Sequence, residues 1–324
     1  MDNHRPAARP EPELPIRLLA LDIDGTIVGH DFGMSDRTVA AIRGALDRGV
    51  RVSLATGRMP SSAVIYANRL GLTEPIIGHQ GALVRAMPVR PEPYVGDPTG
   101  FRGRVGRILH HEALAPAVVR EAIEWCRANG LDPHVNHLER IVVWDADPSF
   151  EDYSSYLGRD AEIVPDLAAA IRHPMTKVIS LGRPPAPAAL YPVAQRYFAG
   201  RAEATLSHPK FLEFVAPGVS KGKAVAWLAH RAGIPLSQVM TIGDAYNDLE
   251  MISDAAHGTA MASAPPAVRL AARYIAPPVE EDGSARLIEQ LILAPPHDAA
   301  ANVERLADEA AAIHSHLREV AAPA

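Results

Sequence analysis

Two aspartates stand one residue apart at the end of an apolar run, in the stretch "LLALDIDGTIVG" of residues 18–29. Buried apolar segments rarely end on a pair of carboxylates unless a positive charge is held beside them. Of this pair, Asp22 can attack an electrophile such as phosphorus, and Asp24 can deliver and remove protons. Turn or capping chemistry is the plainer alternative, because Asp is common at both kinds of position.

Other polar groups stand where predicted strands end or predicted helices begin: Thr56, Gly57 and Arg58 in "LATGR", Lys221 in "GVSKGK", and Asp244, Asn247 and Asp248 in "GDAYND". Several carboxylates at one edge repel each other unless a cation is bound, and hard oxygen ligands in this number favour Mg²⁺. The hydroxyl of Thr56 and the ammonium of Lys221 suit the remaining oxygens of a phosphate. Taken singly, Thr56 and Asp248 are also compatible with helix caps, and Lys221 with a solvated side chain.

The elements that must position these groups alternate between strand and helix from residue 16. "IRLLALD", "VRVSLAT", "PIIGHQG" and "VMTIGD" are typical of strands, and a helix is predicted between the cap Ser35 and the stop Gly49. This alternation predicts an α/β fold, with a Rossmann-like, doubly wound, mostly parallel sheet that binds ligands at the carboxyl ends of its strands. All the polar strand ends can then converge on one crevice.

A second α/β pattern interrupts the first, so the sequence predicts two domains. Residues 16–84 and 208–293 form the predicted core domain, and residues 85–207 form an inserted α/β domain. The insertion begins with an irregular connection over residues 85–107. Residues 1–15, rich in Pro and charge, are predicted to form a disordered tail.

Residues 298–324 are predicted to form a C-terminal helix. Its apolar residues recur at steps of three and four: Val303, Leu306, Ala310, Ile313, Leu317 and Val320. This stripe either packs on the body of the protein or pairs with a second copy, which would make a homodimer through the helix.

Composition restricts the partners and the compartment. The 324 residues are 48% hydrophobic and 22% charged, with a net charge of −6 and no basic cluster, so a nucleic-acid partner has no electrostatic support. No apolar run approaches the ~20 residues that cross a bilayer, and one cysteine, Cys126, excludes an internal disulfide and a Cys-based zinc site. We therefore expect a cytoplasmic protein with no nucleic-acid or membrane partner.

The four motifs "DIDGTI", "LATGR", "APGVSKG" and "GDAYND", in this order, resemble those of the haloacid dehalogenase-like hydrolases, in the Cof-type branch of sugar-phosphate and related phosphatases. The resemblance covers roughly residues 16–293, and the insertion falls between the second and third motifs, where this branch carries a large α/β cap. It implies hydrolysis of a phosphomonoester, so that the partner is a small phosphorylated metabolite, with Mg²⁺ as cofactor. It also implies a cap that closes over the leaving group to exclude water and select the substrate.

The resemblance also implies a role for each motif residue. Asp22 is the expected nucleophile, Asp24 the general acid and base, Thr56 the phosphate-binding hydroxyl and Lys221 the catalytic ammonium. Gly57 and Arg58 are expected beside the phosphate or substrate.

The same resemblance implies how Mg²⁺ is bound. A side-chain oxygen of Asp22, the main-chain carbonyl of Asp24 and the carboxylate of Asp244 are the expected ligands, with Asn247 and Asp248 supporting them. Asn247 is also expected near the substrate.

One motif departs from the family pattern. Cof-type members usually have Asn-Gly after the third strand, whereas "GHQGA" places Gln80 before Gly81. The resemblance implies that these two residues contact phosphate or substrate. In the inserted domain, His134, His137 and Arg140 either contact an anionic or polyhydroxyl group or are exposed turn residues.

Three functions are compatible with the motifs. The first is a Mg²⁺-dependent phosphatase that forms an aspartyl-phosphate. The second is a phosphotransferase or phosphomutase, because an aspartyl-phosphate can pass its phosphoryl group to a sugar instead of water. The third is a receiver-like phospho-signalling domain, against which the Asp-Gly-Thr context, the fourth motif and the insertion all argue.

Overall fold

The computed structural model describes residues 9–90, 103–144 and 161–321. The chain divides into two compact units. The first unit comprises Met1–Ala55, Arg69–Glu74 and Lys221–Ala324, and the second comprises Thr56–Asn68 and Pro75–Ser220. This division differs from the predicted domains, because residues 56–68, 75–84 and 208–220, all predicted for the core domain, belong to the second unit. The predicted domain boundaries therefore stay a prediction.

The described strands are β1 (Leu18–Leu21), β2 (Arg51–Leu54), β3 (Ile76–Gly78), β4 (Leu83–Arg85), β5 (Ile108–His111), β6 (Asp132–His137), β7 (Arg140–Trp144), β8 (Ala161–Val164), β9 (Lys177–Leu181), β10 (Glu203–His208), β11 (Phe211–Val215), β12 (Val239–Gly243), β13 (His257–Met261) and β14 (Tyr274–Ala276). The described α-helices are α1 (Asp36–Asp47), α2 (Pro60–Leu70), α3 (Pro116–Ala128), α4 (Leu167–Ala170), α5 (Ala186–Tyr197), α6 (Lys221–Arg231), α7 (Leu249–Asp254), α8 (Pro266–Ala271), α9 (Gly283–Ile288) and α10 (Pro296–Ala321).

The first unit is built on a parallel sheet with the strand order β14-β13-β12-β1-β2. The chain moves from β1 to β2 on one side, then returns to the other side of β1 for β12, β13 and β14. This reversal makes the sheet doubly wound and places its switch point between β1 and β12, where ligands bind in such folds. The predicted α/β fold with a parallel sheet is confirmed.

Local sequence explains the first strand and helix of this unit. The residues of β1 are all buried, as expected for a parallel strand covered on both faces. Ser35 caps α1 by accepting a hydrogen bond from the Thr38 N–H at 3.1 Å. Gly49 ends the turn after α1 with a φ of 78°. Both ends of this helix therefore follow the prediction.

The second unit contains a six-stranded mixed sheet with the order β10-β11-β9-β6-β7-β8, and a three-stranded sheet with the order β3-β4-β5. Helices α3, α4 and α5 accompany the larger sheet. Their shared core includes Ile123, Cys126, Phe198 and Phe214, all fully buried, with Trp125 packed against it. Burial raises the pKa of the Cys126 thiol to about 12, which agrees with a structural role.

The strand β3 departs from the expected topology. The alternation of strands and helices implies that "PIIGHQG" adds to the parallel sheet, but β3 pairs with β4 in antiparallel register. The residues His79–Gly81 form a 3₁₀ turn that sends the chain straight back, so the two strands make a hairpin. Of the irregular connection predicted over 85–107, residues 91–102 lie outside the described residues.

The N-terminal residues 9–15 are held by the first unit, in contrast to the predicted disorder. The Glu13 N–H donates to the Ser237 carbonyl at 2.9 Å, and the Arg9 Nε donates to the Ser253 carbonyl at 3.1 Å. Residues 1–8 of the predicted tail lie outside the described residues.

The predicted C-terminal helix is present as α10, which contacts β14, α8 and the π-helical segment Glu289–Leu293 of the same unit. Along its stripe, Leu306 and Ala310 are buried, whereas Val320 is 72% exposed. The first part of the stripe therefore packs on the body, and pairing with a second copy stays a prediction. Within the described ranges, no helix has both the length and the apolar character needed to cross a membrane.

Candidate active site

Asp22 and Asp244 lie at the switch point of the parallel sheet. Each follows directly after its strand, and β1 and β12 are neighbours in the register Leu21↔Ile242. The Asp22 N–H donates to the Ile242 carbonyl at 3.0 Å, which fixes the start of the loop after β1. Parallel pairing therefore brings the two carboxylates to the same edge, as the sequence predicts.

The side chain of Lys221 enters this edge from the first residue of α6. Its Nζ lies 2.8 Å from Asp22 Oδ1 and 2.6 Å from Asp248 Oδ1. The lysine side chain is fully buried, so the alternative of a solvated side chain is wrong. The neighbouring Lys223 is exposed. One ammonium thus compensates two carboxylates.

Asp248 holds the loop after β12 in place. Its Oδ2 accepts hydrogen bonds from the N–H groups of Asp244 and Ala245, each at 3.0 Å. A Cβ at Gly243 would lie 2.5 Å from the Asp248 Cβ, so this close approach requires glycine. Both Asp248 oxygens are thus used within the protein, and its carboxylate makes no capping bond to the helix that follows. This arrangement supports a positioning role for Asp248.

The loop after β1 folds over Asp244. The Thr26 hydroxyl donates to Asp244 Oδ1 at 3.0 Å, and the Ser284 hydroxyl donates to the Thr26 carbonyl at 2.7 Å. Gly25 has a φ of 75°, and a Cβ there would lie 2.4 Å from Asp244 Oδ2. Sequence reasoning did not assign these three residues a role, although Thr26 and Gly25 lie inside the first motif.

Burial and mutual repulsion raise the pKa values of two of these carboxylates, Asp22 and Asp244. Burial, together with the charges of Asp248, Asp244 and Asp24, raises the pKa of Asp22 well above its usual value despite the opposing effect of Lys221. Burial and the charge of Asp248 raise the pKa of Asp244 to about 7. Burial alone would lower the pKa of Lys221, but attraction to Asp22 and Asp248 raises it overall. The lysine therefore stays charged.

The donor set fits a hard divalent cation. One carboxylate oxygen from each of Asp22, Asp244 and Asp248 lies within 4.8 Å of the others. All of these donors are oxygens, which Mg²⁺ prefers. Mg²⁺ also keeps several water ligands, and the exposed position of Asp24 shows that this edge of the sheet is open to solvent. Asp22 and Asp244 would hold the cation most directly, because both oxygens of Asp248 already have partners. Asp24 is exposed and Asn247 is half-buried on the 3₁₀ turn Tyr246–Asp248.

The predicted phosphate-binding residues of the second motif belong to the second unit. Thr56 is buried, and its N–H donates to the Ile77 carbonyl at 2.9 Å. The Arg58 N–H donates to the Thr56 Oγ1 at 3.1 Å, and the Arg58 guanidinium lies 5.3 Å from the centre of the Tyr66 ring. Thr56 therefore stands at a strand connection and not at a helix cap.

The turn that contains Gln80 has an unusual backbone. His79, Gln80 and Gly81 have φ values of 49°, 62° and 102°, a left-handed run that costs about 1–3 kcal/mol at each non-glycine residue. The Gln80 Nε2 donates to Glu213 Oε2 at 3.0 Å. A Cβ at Gly57 would lie 2.5 Å from the same nitrogen. The Gln80 amide is thus packed between Gly57 and Glu213, and its contact with phosphate stays a prediction.

The three candidate residues of the inserted region differ in environment. His134 lies within β6 and is 1% exposed, so the alternative of an exposed turn residue is wrong for it. Burial lowers the pKa of His134 to about 4, which keeps it neutral near pH 7. His137 ends β6 and is half-buried, whereas Arg140 begins β7 and pairs with Glu162.

Known proteins resemble this chain over most of its length. A family model described as haloacid dehalogenase-like hydrolase matches residues 19–92 and 103–288. The 5-amino-6-(5-phospho-D-ribitylamino)uracil phosphatase YitU of Bacillus subtilis is 25% identical over 285 residues, covering 84% of this chain and 96% of its own. An HMP-PP phosphatase of Cronobacter sakazakii is 27% identical over 250 residues, covering 77% of this chain and 85% of its own. The crystal structure of a haloacid dehalogenase-like hydrolase from Bacteroides thetaiotaomicron covers 85% of this chain and 99% of its own, at 26% identity and a TM-score of 0.68.

The chain therefore belongs to the haloacid dehalogenase-like hydrolases, in their Cof-type branch. The resemblance identified from the four motifs is confirmed, and the chain is an enzyme of this hydrolase family. The phosphatase names of both curated relatives agree with the predicted class of phosphoric monoester hydrolase.

Proposed function

We propose that the chain is a Mg²⁺-dependent phosphatase that hydrolyses a small phosphomonoester through an aspartyl-phosphate. The observation that carries this proposal is the buried Lys221 ammonium, 2.8 Å from Asp22 Oδ1 at the switch point of the sheet. A nucleophilic carboxylate must be ionised when it attacks. The Lys221 ammonium favours the ionised form of Asp22 against the effect of burial, and a bound Mg²⁺ would favour it further.

The reaction divides into two displacements at phosphorus. Asp22 attacks, so that a new O–P bond forms while the bond to the departing alcohol oxygen breaks, and Asp24 gives its proton to that oxygen. Water then attacks the aspartyl-phosphate, and Asp24 accepts the proton of the water as phosphate leaves and the Asp22 carboxylate is restored. The exposure of Asp24 suits a group that exchanges protons with substrate and water.

The remaining residues bind and orient. Thr56 is proposed to donate a hydrogen bond to the phosphoryl oxygens, with Gly57 and Arg58 beside it. Asp22, Asp244 and the Asp24 carbonyl are proposed to hold Mg²⁺, with Asn247 and Asp248 in support. When bound, Mg²⁺ would neutralise charge on the carboxylates and on the phosphoryl oxygens.

A small phosphorylated metabolite of the cytoplasm, such as a sugar phosphate, is the proposed substrate. The name of YitU, a 5-amino-6-(5-phospho-D-ribitylamino)uracil phosphatase, supports adding phosphorylated ribityl compounds to the candidates. Pyridoxal phosphate and flavin mononucleotide complete a suitable panel.

Phosphate release from this panel by the purified protein tests the proposal. The wild type is expected to release phosphate without a second sugar acceptor, and Asp22→Asn is expected to lose at least about 10³-fold, because the nucleophile is removed without a change in volume. Asp47→Asn, an exposed aspartate at the end of α1, serves as the matched control and should keep full activity. EDTA should abolish turnover and Mg²⁺ should restore it. Near-normal turnover by Asp22→Asn, or full activity in metal-free buffer, would contradict the mechanism.

A further inference from the structure

The second unit buries an ion pair that the proposed reaction does not use. Lys177 Nζ and Glu213 Oε2 lie 2.8 Å apart, and their side chains are only 2% and 3% exposed. Burying a charged pair has a desolvation cost that its mutual attraction often fails to offset, so such a pair needs further contacts or a purpose. Lys177 begins β9 and Glu213 lies in β11, the neighbouring strand.

The ammonium of Lys177 has a second partner in the phosphate-binding motif. Its Nζ donates to the Gly57 carbonyl at 2.7 Å. Because a trans peptide is planar, the carbonyl of one residue and the N–H of the next point in opposite directions. Lys177 therefore fixes the direction of the Arg58 N–H by holding the Gly57 carbonyl.

The Arg58 N–H in turn determines what the Thr56 hydroxyl can do. This N–H donates to Thr56 Oγ1 at 3.1 Å, so one acceptor position of the hydroxyl is occupied. A hydroxyl has one hydrogen to donate, and an occupied acceptor position restricts the directions in which that hydrogen can point. The contact chain thus runs from Lys177 through the peptide of Gly57 to the Thr56 hydroxyl.

We propose that Lys177 and Glu213 are positioning residues that orient the Thr56 hydroxyl as a hydrogen-bond donor to the phosphoryl group. The inference rests on the proposed phosphatase function and extends it to two residues outside the four motifs. Neither residue touches substrate in this proposal; both act through the Gly57 peptide.

Glu213 holds the lysine in this position and is itself fully bonded. Gln80 Nε2 donates to its Oε2 at 3.0 Å, and the Ser207 hydroxyl donates to its Oε1. Burial alone would raise the pKa of Glu213, but Lys177, Ser207 and Gln80 lower it overall, so the carboxylate stays ionised. The amide of Gln80 also packs against Gly57, so the peptide that Lys177 binds is in contact with Gln80 as well.

This network gives Gln80 a role that differs from the one implied by the family motif. One N–H of its amide is committed to Glu213 and the nitrogen lies against Gly57. The longer side chain of Gln, relative to the usual Asn, therefore serves to join the turn of residues 79–81 to the buried ion pair.

The test compares a charge-free pair with a control at the residue directly before β9. Lys177→Met with Glu213→Gln removes both charges, so no buried charge is left alone. The new amide keeps one acceptor oxygen for Gln80, and its NH₂ group can donate to the Ser207 hydroxyl oxygen. The control is Thr176→Val, which removes a buried hydroxyl that binds the Leu138 N–H at 2.8 Å but has no link to Gly57. KM, kcat and the inhibition constant of inorganic phosphate are measured for each, together with urea unfolding.

The paired variant is expected to raise KM and the phosphate inhibition constant about tenfold, the effect of weakening one hydrogen bond to a charged group. Thr176→Val should leave both constants within twofold of wild type, even if unfolding shows a similar loss of stability. In a Thr56→Val background the paired substitution should have no further effect on phosphate binding, because both changes act through the same hydroxyl.

Failure of this inference and failure of the proposed function give different results. Suppose that the wild type is active and that Thr56→Val weakens phosphate binding. If the paired variant then binds phosphate normally, or if its loss of phosphate binding adds in full to the loss caused by Thr56→Val, only the positioning role is wrong. If the wild type releases no phosphate from any member of the panel, the proposed function itself fails. Should the paired variant not fold, Lys177→Arg keeps the charge beside Glu213 but replaces the ammonium by a longer planar group, and the same loss of phosphate binding is expected.

Discussion

The ammonium of Lys221 lies 2.8 Å from Asp22 Oδ1, and the two side chains are 0% and 7% exposed. A second buried carboxylate, Asp248, shares the same ammonium at 2.6 Å. The ammonium and the two carboxylates therefore compensate each other's charge. Removal of the ammonium leaves two buried carboxylates without a positive partner. The arrangement ties the charge of Asp22, the proposed nucleophile, to the stability of the first unit.

Lys221→Met is expected to lower kcat by about 10²–10³-fold, the usual effect of removing one group that stabilises charge in the transition state. It should also lower the free energy of unfolding by about 3–5 kcal/mol, because buried carboxylates lose their partner. Phosphate release and urea unfolding measure the two effects. Lys223→Met, two residues along the same helix and exposed, is the control and should change stability by less than about 0.5 kcal/mol. Turnover near the wild-type rate in Lys221→Met would contradict the role given to this lysine.

Gly25→Ala tests the close approach of the first motif to Asp244. The residue has a φ of 75° and a Cβ there would lie 2.4 Å from Asp244 Oδ2, so alanine must displace the carboxylate. We expect Mg²⁺ affinity and kcat to fall at least about tenfold, since ligand geometry at Mg²⁺ tolerates little displacement. Titration of Mg²⁺ against turnover measures both.

Gly49→Ala is the matched control for this substitution. Gly49 has a φ of 78°, and a Cβ there would meet nothing within 4 Å. Alanine should therefore cost about 1–2 kcal/mol of backbone strain without any effect on the site. Equal effects of the two substitutions on Mg²⁺ affinity would show that backbone strain, and not the contact with Asp244, is responsible.

The part of the site in the first unit could be predicted because its information is local. Asp22 and Asp244 are the first residues after apolar runs, and parallel strands present such residues at one edge. Lys221 begins a helix pattern, so the sequence predicts its position at the start of a helix without any knowledge of packing. Its salt bridges follow from the topology once the strands are ordered.

The contacts that hold the motif residues could not be predicted in the same way. Lys177 and Glu213 are single charges in apolar strands, and only the adjacency of β9 and β11 brings them together. A charged residue inside a buried strand is a signal that something pairs with it, but the sequence does not name the partner. The hairpin of β3 was missed because it depends on left-handed backbone at His79 and Gln80, which non-glycine residues rarely adopt.

The pKa of about 7 at Asp244 predicts a link between protons and Mg²⁺. Without the cation, Asp244 is half-protonated near pH 7, and the bound cation requires the ionised form. Mg²⁺ affinity should therefore fall as pH decreases from 8 to 6, and calorimetry in buffers of different ionisation enthalpy should detect proton release at pH 7. Affinity that does not change over this range would contradict the assignment.

The same pKa predicts how the metal-free protein responds to pH. The folded pKa of Asp244 lies above the value near 4 of an unfolded Asp, so the folded state binds the proton more tightly. The contribution to stability is fully present below pH 4 and is lost as pH rises through about 7. Asp244→Asn should remove this contribution, so the stability difference between Asp244→Asn and wild type should grow in favour of the variant as pH rises from 4 to 8. Unfolding by urea in EDTA at several pH values measures this difference.

The stripe of α10 predicts different effects at its two ends. Leu306 is 5% exposed and packs on the first unit, so Leu306→Ala should destabilise the protein by about 2–5 kcal/mol. Val320 is 72% exposed, and Val320→Ala should have an effect below about 0.5 kcal/mol. Sedimentation of the wild type and of Val320→Asp then tests the homodimer. If the helix serves only to cover the body, the two proteins sediment with the same mass; a wild-type dimer that the aspartate dissociates would show that the exposed end of the stripe pairs with a second copy.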